Sequence, residues 1–210
     1  MPSLLSVNRG TAQHIPGYKP LTGIVKAPVP TARITRLGLD GDAICDREHH
    51  GGADQAIYVY FQSDYDWWAG ELDRALSPGS FGENLTLSGI EGTLVAIGDR
   101  FAIGPVLLEV TYHRTPCMTF AARMGDPGWV RRFHRAGRPG AYCRVLAEGD
   151  VQAGMAVNYR PFDGERISVR DLMALDGVKD LDRDFMRRAL TTPIRDKTRF
   201  KYETRLADLF

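Results

Sequence analysis

Glycine and proline break the first 165 residues into short pieces, and this punctuation constrains the fold more than any other feature of the chain. Proline removes a backbone donor and glycine weakens a helix interior, so a stretch interrupted this often cannot hold long helices. What survives between the breaks is strand-like. Gln55 to Phe61 (QAIYVYF) is rich in β-branched and aromatic residues, which suit a pleated surface. Val106 to Tyr112 (VLLEVTY) is mostly apolar with Glu109 inside it, which predicts a partly wet face. Tyr142 to Ala147 and Met155 to Tyr159 flank the turn-rich EGDVQAG, the pattern of a hairpin.

Three helices are expected among these strands. Asp64 to Leu76 places Tyr65, Trp68, Leu72 and Leu76 at three- and four-residue spacing, with Ser63 or Asp64 as its cap. Shorter helices are predicted from about Pro116 to Met124 and from Gly128 to Arg135. The pattern changes after Arg160. PFDGER reads as a linker, and from Ser168 onward glycine is sparse and no strand pattern remains. Ser168 with Asp171 resembles a capping box, and DLDRDFMRRAL and FKYETRLADLF are amphipathic. The expected organisation is a mainly β domain with inserted helices over 1–165 and a small helical module over 166–210. A module of that size is not expected to be stable alone. Its plainest role is to complete a core.

Composition narrows the functional classes. A chain of 210 residues can bury one substantial core. A net charge of +1 does not favour a nucleic-acid polymer as partner. No run approaches the roughly 18 apolar residues of a membrane helix. The opening MPSLLSVNRG lacks a basic stretch followed by an apolar one, so no secretory leader is expected. Three scattered cysteines, Cys45, Cys117 and Cys143, do not make a disulfide scaffold and fit a reducing cytoplasm.

The most informative segment is Tyr112 to Gly125, YHRTPCMTFAARMG. Pro116 disfavours helical angles at Thr115 and suits the first helical position. Thr115 then reads as the N-cap, Gly125 as the stop, and Cys117 falls in the first turn. Unpaired N–H groups and the helix dipole favour negative charge there, and Arg114 and His113 add to that field. A thiolate so placed serves a soft metal or a covalent mechanism. A buried structural cysteine is the equally simple alternative.

Two glycine-bearing segments also stand out: Gly38 to Gln55 (GLDGDAICDREHHGGADQ) and Ser80 to Leu87 (SFGENLTL). Such turns can cradle a phosphate, although neither matches a phosphate-loop or dinucleotide fingerprint, and plain turns explain them as well. Cys45, His49, His50, His113 and Cys117 are zinc-ligand types without a standard zinc spacing. A cysteine hydrolase would need His50 or His113 beside Cys117.

In this order, GLDGD, HHGGADQAIYVY, FGENL and the tetrad Arg114-Thr115-Pro116-Cys117 resemble the MOSC family, named for the C-terminal domain of molybdenum-cofactor sulfurase, and within it the YiiM-like branch. The resemblance implies a MOSC-type β-barrel with a small C-terminal α-helical module. It implies molybdenum cofactor (molybdopterin) in a cavity, with Cys117 as metal ligand and catalytic centre. His50, Gly51, Gly52, Gly82, Glu83, Asn84, Arg114 and Thr115 would form the cofactor-binding loops. The implied reaction is reduction of small N-hydroxylated compounds such as N-hydroxylated purine bases. Electrons would come from a separate reductase, because the chain carries no flavin or iron–sulfur motif. The competing reading is a non-enzymatic carrier of the cofactor or of sulfur. Homodimerisation is left open.

Overall fold

The computed structural model describes residues 1–46 and 51–208. The chain begins with β1 (Ser3–Gly10), β2 (Gln13–Ile15), β3 (Tyr18–Thr22), β4 (Lys26–Val29), β5 (Thr31–Thr35) and β6 (Gly38–Leu39). Next come β7 (Ile57–Phe61), α1 (Gln62–Leu72), β8 (Leu85–Ser88), β9 (Arg100–Ile103) and β10 (Val106–His113). Helices α2 (Met118–Met124) and α3 (Trp129–Ala136) precede β11 (Ala141–Ala147), β12 (Gly149–Gln152) and β13 (Val157–Arg160). The end is helical: α4 (Val169–Ala174), α5 (Arg183–Leu190) and α6 (Asp196–Ala207). None of the helices is long and apolar enough to cross a membrane.

Eight strands form one sheet in the order β13-β9-β10-β11-β7-β8-β1-β4. Among the described residues only β7 and β8, joined through α1, pair in parallel within it. The architecture is therefore mainly β with inserted helices, and not a parallel sheet with repeated crossovers. The ladder does not close into a ring among the described residues. Chain just before β13 nevertheless meets β1: Leu4 N donates to Met155 O at 2.9 Å and Gly154 N to Leu4 O at 2.8 Å.

Strand β7 decides where the site can form, because all five of its residues are buried. Side chains alternate across a strand. Ile57, Val59 and Phe61 enter the main core with Leu85, Phe101 and Val110. Tyr58 and Tyr60 enter a second, aromatic core with Tyr65, Trp68, Phe81, Phe120, Trp129 and Phe133. This second core joins α1, α2 and α3 to the back of the sheet. Trp68 Nε1 donates to Tyr60 Oη at 2.8 Å, so its polar tip is satisfied inside an apolar cluster.

Several expectations need correction. Residues 142–147 and 155–159 are not hairpin partners. The stretch read as their turn is itself β12, which pairs with β5 and buries Val151. Glu109 does not mark a wet face; it is 4% exposed and accepts from Arg100 Nε and Nη2 at 2.9 and 2.8 Å. Helix α1 stops at Leu72, short of Leu76, where Asp73 takes a left-handed conformation at φ 50°. Neither proposed cap is used, since Ser63 donates to Ile90 O and Asp64 is held by Arg138. Ser168 does cap α4, accepting from Asp171 N at 3.0 Å. The C-terminal helices share the main core through Val169, Leu172, Met186, Ala189 and Tyr202.

Candidate active site

The tetrad Arg114–Cys117 links the end of β10 to α2. Helix α2 starts later than the local signals suggest. Cys117, at φ −135° and ψ 173°, is the N-cap, and Met118 is the first helical residue. Thr115 is therefore not the cap. Its hydroxyl lies 3.4 Å from Asp176 Oδ2, in the turn after α4. A tertiary contact has replaced the local one. Gly125 ends α2 at φ 76°, as its sequence position predicts.

Beside the tetrad lies a cavity of about 750 Å³, counting its open mouth. Arg114, Cys117, Gly51, Gly82 and Asn84 all belong to its wall. Cys117 is half-buried. Glycine is required at Gly82, where φ is 80° and a Cβ would sit 2.9 Å from Ile24 Cγ1. Gly51, at φ 78°, likewise brings backbone to the cavity edge.

Arg114 is the most unusual group in this wall. It is only 4% exposed. Its guanidinium lies over Phe120 at 4.6 Å from the ring centroid and near Tyr58 and Phe133 at 5.7 Å each. These rings favour the cation. Yet Nη1 is buried with no hydrogen-bond partner among the described residues. A buried charged donor without an acceptor is costly.

A second cation is already neutralised. Lys26 and Asp42 form a buried ion pair in the lining. Burial lowers the Lys26 pKa while Asp42 opposes the shift. Asp42 also accepts from Gly10 N at 2.7 Å and from Asn84 Nδ2 at 2.9 Å. Asn84 in turn accepts from Tyr58 N at 3.2 Å. Asn84 thus ties β7, the FGEN turn and the GLDGD segment into one cavity wall.

Other sequence-derived site residues are placed differently. Glu83 does not line the cavity. It turns into the aromatic core, where Oε1 accepts from Tyr65 Oη at 2.6 Å, Gly79 N at 2.7 Å and Thr86 Oγ1 at 2.8 Å. Its Oε2 has no partner among the described residues, and burial raises its pKa. Gly52 is also outside the lining and leads into the short turn Ala53–Gln55. Thr115 faces an outer groove. His49 and His50 lie outside the described residues. Among the described residues no group of three or more His, Cys, Asp or Glu is arranged to hold a metal ion.

Cys143 is fully buried, and burial pushes its thiol well above the usual range. Cys45, by contrast, is exposed and belongs to the same cavity lining as Cys117. Lys26, Asp42, Tyr58 and Tyr142 also line the cavity and were not singled out by the sequence reading. Asp42 sits within the GLDGD segment and so had a signal. Lys26 had none.

Known proteins resemble this chain in sequence and in fold. A model of the MOSC domain family matches residues 46–158. YflK of Bacillus subtilis, described as uncharacterized, is 39% identical over 155 residues, covering 72% of this chain and 70% of YflK. YiiM of Escherichia coli is 32% identical over 154 residues, covering 71% of this chain and 68% of YiiM. A protein of Gibberella moniliformis described as a reductase is 32% identical over 148 residues, which is 63% of this chain but 26% of that protein. The crystal structure of YiiM from Geobacillus stearothermophilus superposes with a TM-score of 0.80 at 25% identity, covering 98% of this chain and 100% of that one.

Proposed function

Since the chain belongs to the MOSC domain family, we propose that its cavity binds molybdenum cofactor and that the protein reduces N-hydroxylated compounds. The observation that carries this reading is the buried Arg114, whose Nη1 lacks a partner among the described residues, three positions before Cys117 in the same wall. The cofactor carries a phosphate, and the residues present fit it. Arg114 would take the phosphate, and the close backbone at Gly51 and Gly82 would let it approach. Cys117 would supply the soft thiolate that molybdenum prefers. Chain before β13 meeting β1 is consistent with a MOSC-type barrel around the cavity.

When bound, the cofactor supplies two-electron redox chemistry. The overall reaction balances as R–NHOH + 2e⁻ + 2H⁺ → R–NH₂ + H₂O. The protein's part is to orient the centre, supply one ligand and exclude water from side reactions. The aromatic lining from Tyr58 and Tyr142 suits a flat heterocyclic substrate. That one relative is described as a reductase supports the same direction. A separate reductase supplies the electrons.

The test is expression of the full chain in a host that makes the cofactor, followed by molybdenum and pterin analysis and assay with a reduced viologen dye and an N-hydroxylated purine. Bound cofactor with turnover is expected. Cofactor retained without turnover on N-hydroxylated substrates would leave the carrier reading in its place.

A further inference from the structure

The tetrad is a wall with two sides. Arg114 and Cys117 line the cofactor cavity, while Thr115 and Pro116 line a separate outer groove. The opposite bank of the groove is α3, through Arg131, His134 and Arg135. This eight-residue helix holds Arg131, Arg132 and Arg135 and no acidic residue. All three arginines are exposed, and none is ion-paired among the described residues. The one carboxylate of the groove, Asp176, is engaged with His113 and Thr115. A chain of net charge +1 has thus concentrated positive charge beside the outer face of its cysteine turn.

We propose that this groove docks an acidic electron-transfer protein carrying a flavin or iron–sulfur centre. The inference rests on the reading that the neighbouring cavity holds a redox cofactor. Each turnover needs two electrons, which the partner's reduced centre gives up as it is oxidised, with two protons taken from solvent. Neighbouring residues of the Arg114–Cys117 turn line the cavity and the groove in turn. Electron-transfer encounters use small, charge-steered, salt-sensitive interfaces, which a groove rimmed by exposed arginines provides. A single-stranded nucleic acid fits less well, because among the described residues no Phe, Tyr or Trp lines the groove to stack a base.

The test titrates the full-length protein with a flavodoxin and with a [2Fe–2S] ferredoxin, both acidic, at low and at physiological ionic strength. Binding that weakens with salt is expected. The double variant R131E/R135E should lose about tenfold in affinity for the protein donor, as truncated or reversed charges at such interfaces do. An equal charge reversal at the exposed Arg33 and Arg36, R33E/R36E, should leave affinity within about twofold of the parent. Turnover of the cofactor-loaded R131E/R135E variant with reduced viologen dye should match the parent, while turnover with the protein donor falls.

Failure of the parent to bind either donor overturns the assignment. So does equal loss in both double variants, loss of dye-driven turnover in R131E/R135E, or preferential capture of an oligonucleotide. If the parent shows no turnover with any donor, the functional reading fails, and the binding titration still decides the groove.

Discussion

Asp176 Oδ1 lies 3.3 Å from Nε2 of His113, the fully buried residue that ends β10. The contact is close enough for an ion pair when the ring is protonated but lacks hydrogen-bond geometry, and both ring nitrogens are without a hydrogen-bond partner among the described residues. The same carboxylate reaches Thr115 through Oδ2 at 3.4 Å. One residue after α4 therefore touches both ends of the strand-to-turn junction that leads to Cys117. The C-terminal helices do more than cover the sheet.

Asp176→Ala should loosen this junction. Removing the carboxylate that faces the buried His113 ring and accepts from Thr115 destabilises by on the order of 1 kcal/mol, or about 2–4 °C in melting temperature for a chain this long. Amide exchange should rise at Thr115 to Cys117 while β7 stays protected. Uniform exchange across the chain would mean that Asp176 has no special link to the turn.

A fully buried carboxylate with a clear consequence is Asp64. Burial pushes its pKa up to about 7 despite the Arg138 Nη1 contact at 2.7 Å. In the folded protein it therefore holds a proton that the unfolded chain releases near pH 4. The folded form binds more protons in this window, so its stability contribution is full at about pH 4 and is lost as pH rises through about 7. Asp64→Asn cannot titrate. A plot of unfolding free energy against pH should fall between about pH 4 and 7 for the parent and be flatter for the variant. Parallel curves would show that Asp64 is ionised throughout.

Legibility in the sequence followed the range of the interaction. Strand β7, the stop at Gly125 and the cap at Ser168 are local, set by side-chain type and glycine freedom, and the sequence reading placed them. Cys117, Arg114, Gly51, Gly82 and Asn84 do share one cavity. What failed was mostly side-chain direction. Gly82 and Asn84 face the cavity, but Glu83 between them turns into the aromatic core, a choice made by Tyr65 and Thr86 from other elements. Thr115 has the local chemistry of an N-cap, but Asp176 engages its hydroxyl. The Lys26–Asp42 pair could not be foreseen, because nothing local distinguishes one lysine at the start of a strand from another.

The three cysteines should separate by accessibility. Cys143 is buried with a raised pKa, so it should label only after unfolding. Cys45 is exposed and Cys117 half-buried in the cavity, so both should label in the native protein. Under the proposed function, Cys117→Ser keeps the volume but places a harder oxygen where a bound molybdenum would take a thiolate. That variant should melt normally and lose molybdenum, and Cys45→Ser should keep it. Mass spectrometry of alkylated protein and metal analysis together decide the matter; metal retention in Cys117→Ser with loss in Cys45→Ser would reassign the ligand to Cys45.

Arg114 should show a trade between stability and binding. Its buried Nη1 has no acceptor among the described residues, which destabilises the protein without an anion, although contact with Phe120 offsets part of that. Arg114→Met keeps much of the side chain's length and removes the charge. Without added anion, the variant should melt no lower than the parent. Phosphate should raise the parent's melting temperature, because a ligand that binds only the folded form stabilises it by mass action, and should leave the variant unmoved. Arg114→Lys should fall between them, keeping the charge but losing the planar fork that grips a phosphate. A drop of more than about 4 °C in Arg114→Met without phosphate, a shift expected from a loss of roughly 1–2 kcal/mol, would show that Arg114 supports the aromatic core instead of waiting for an anion.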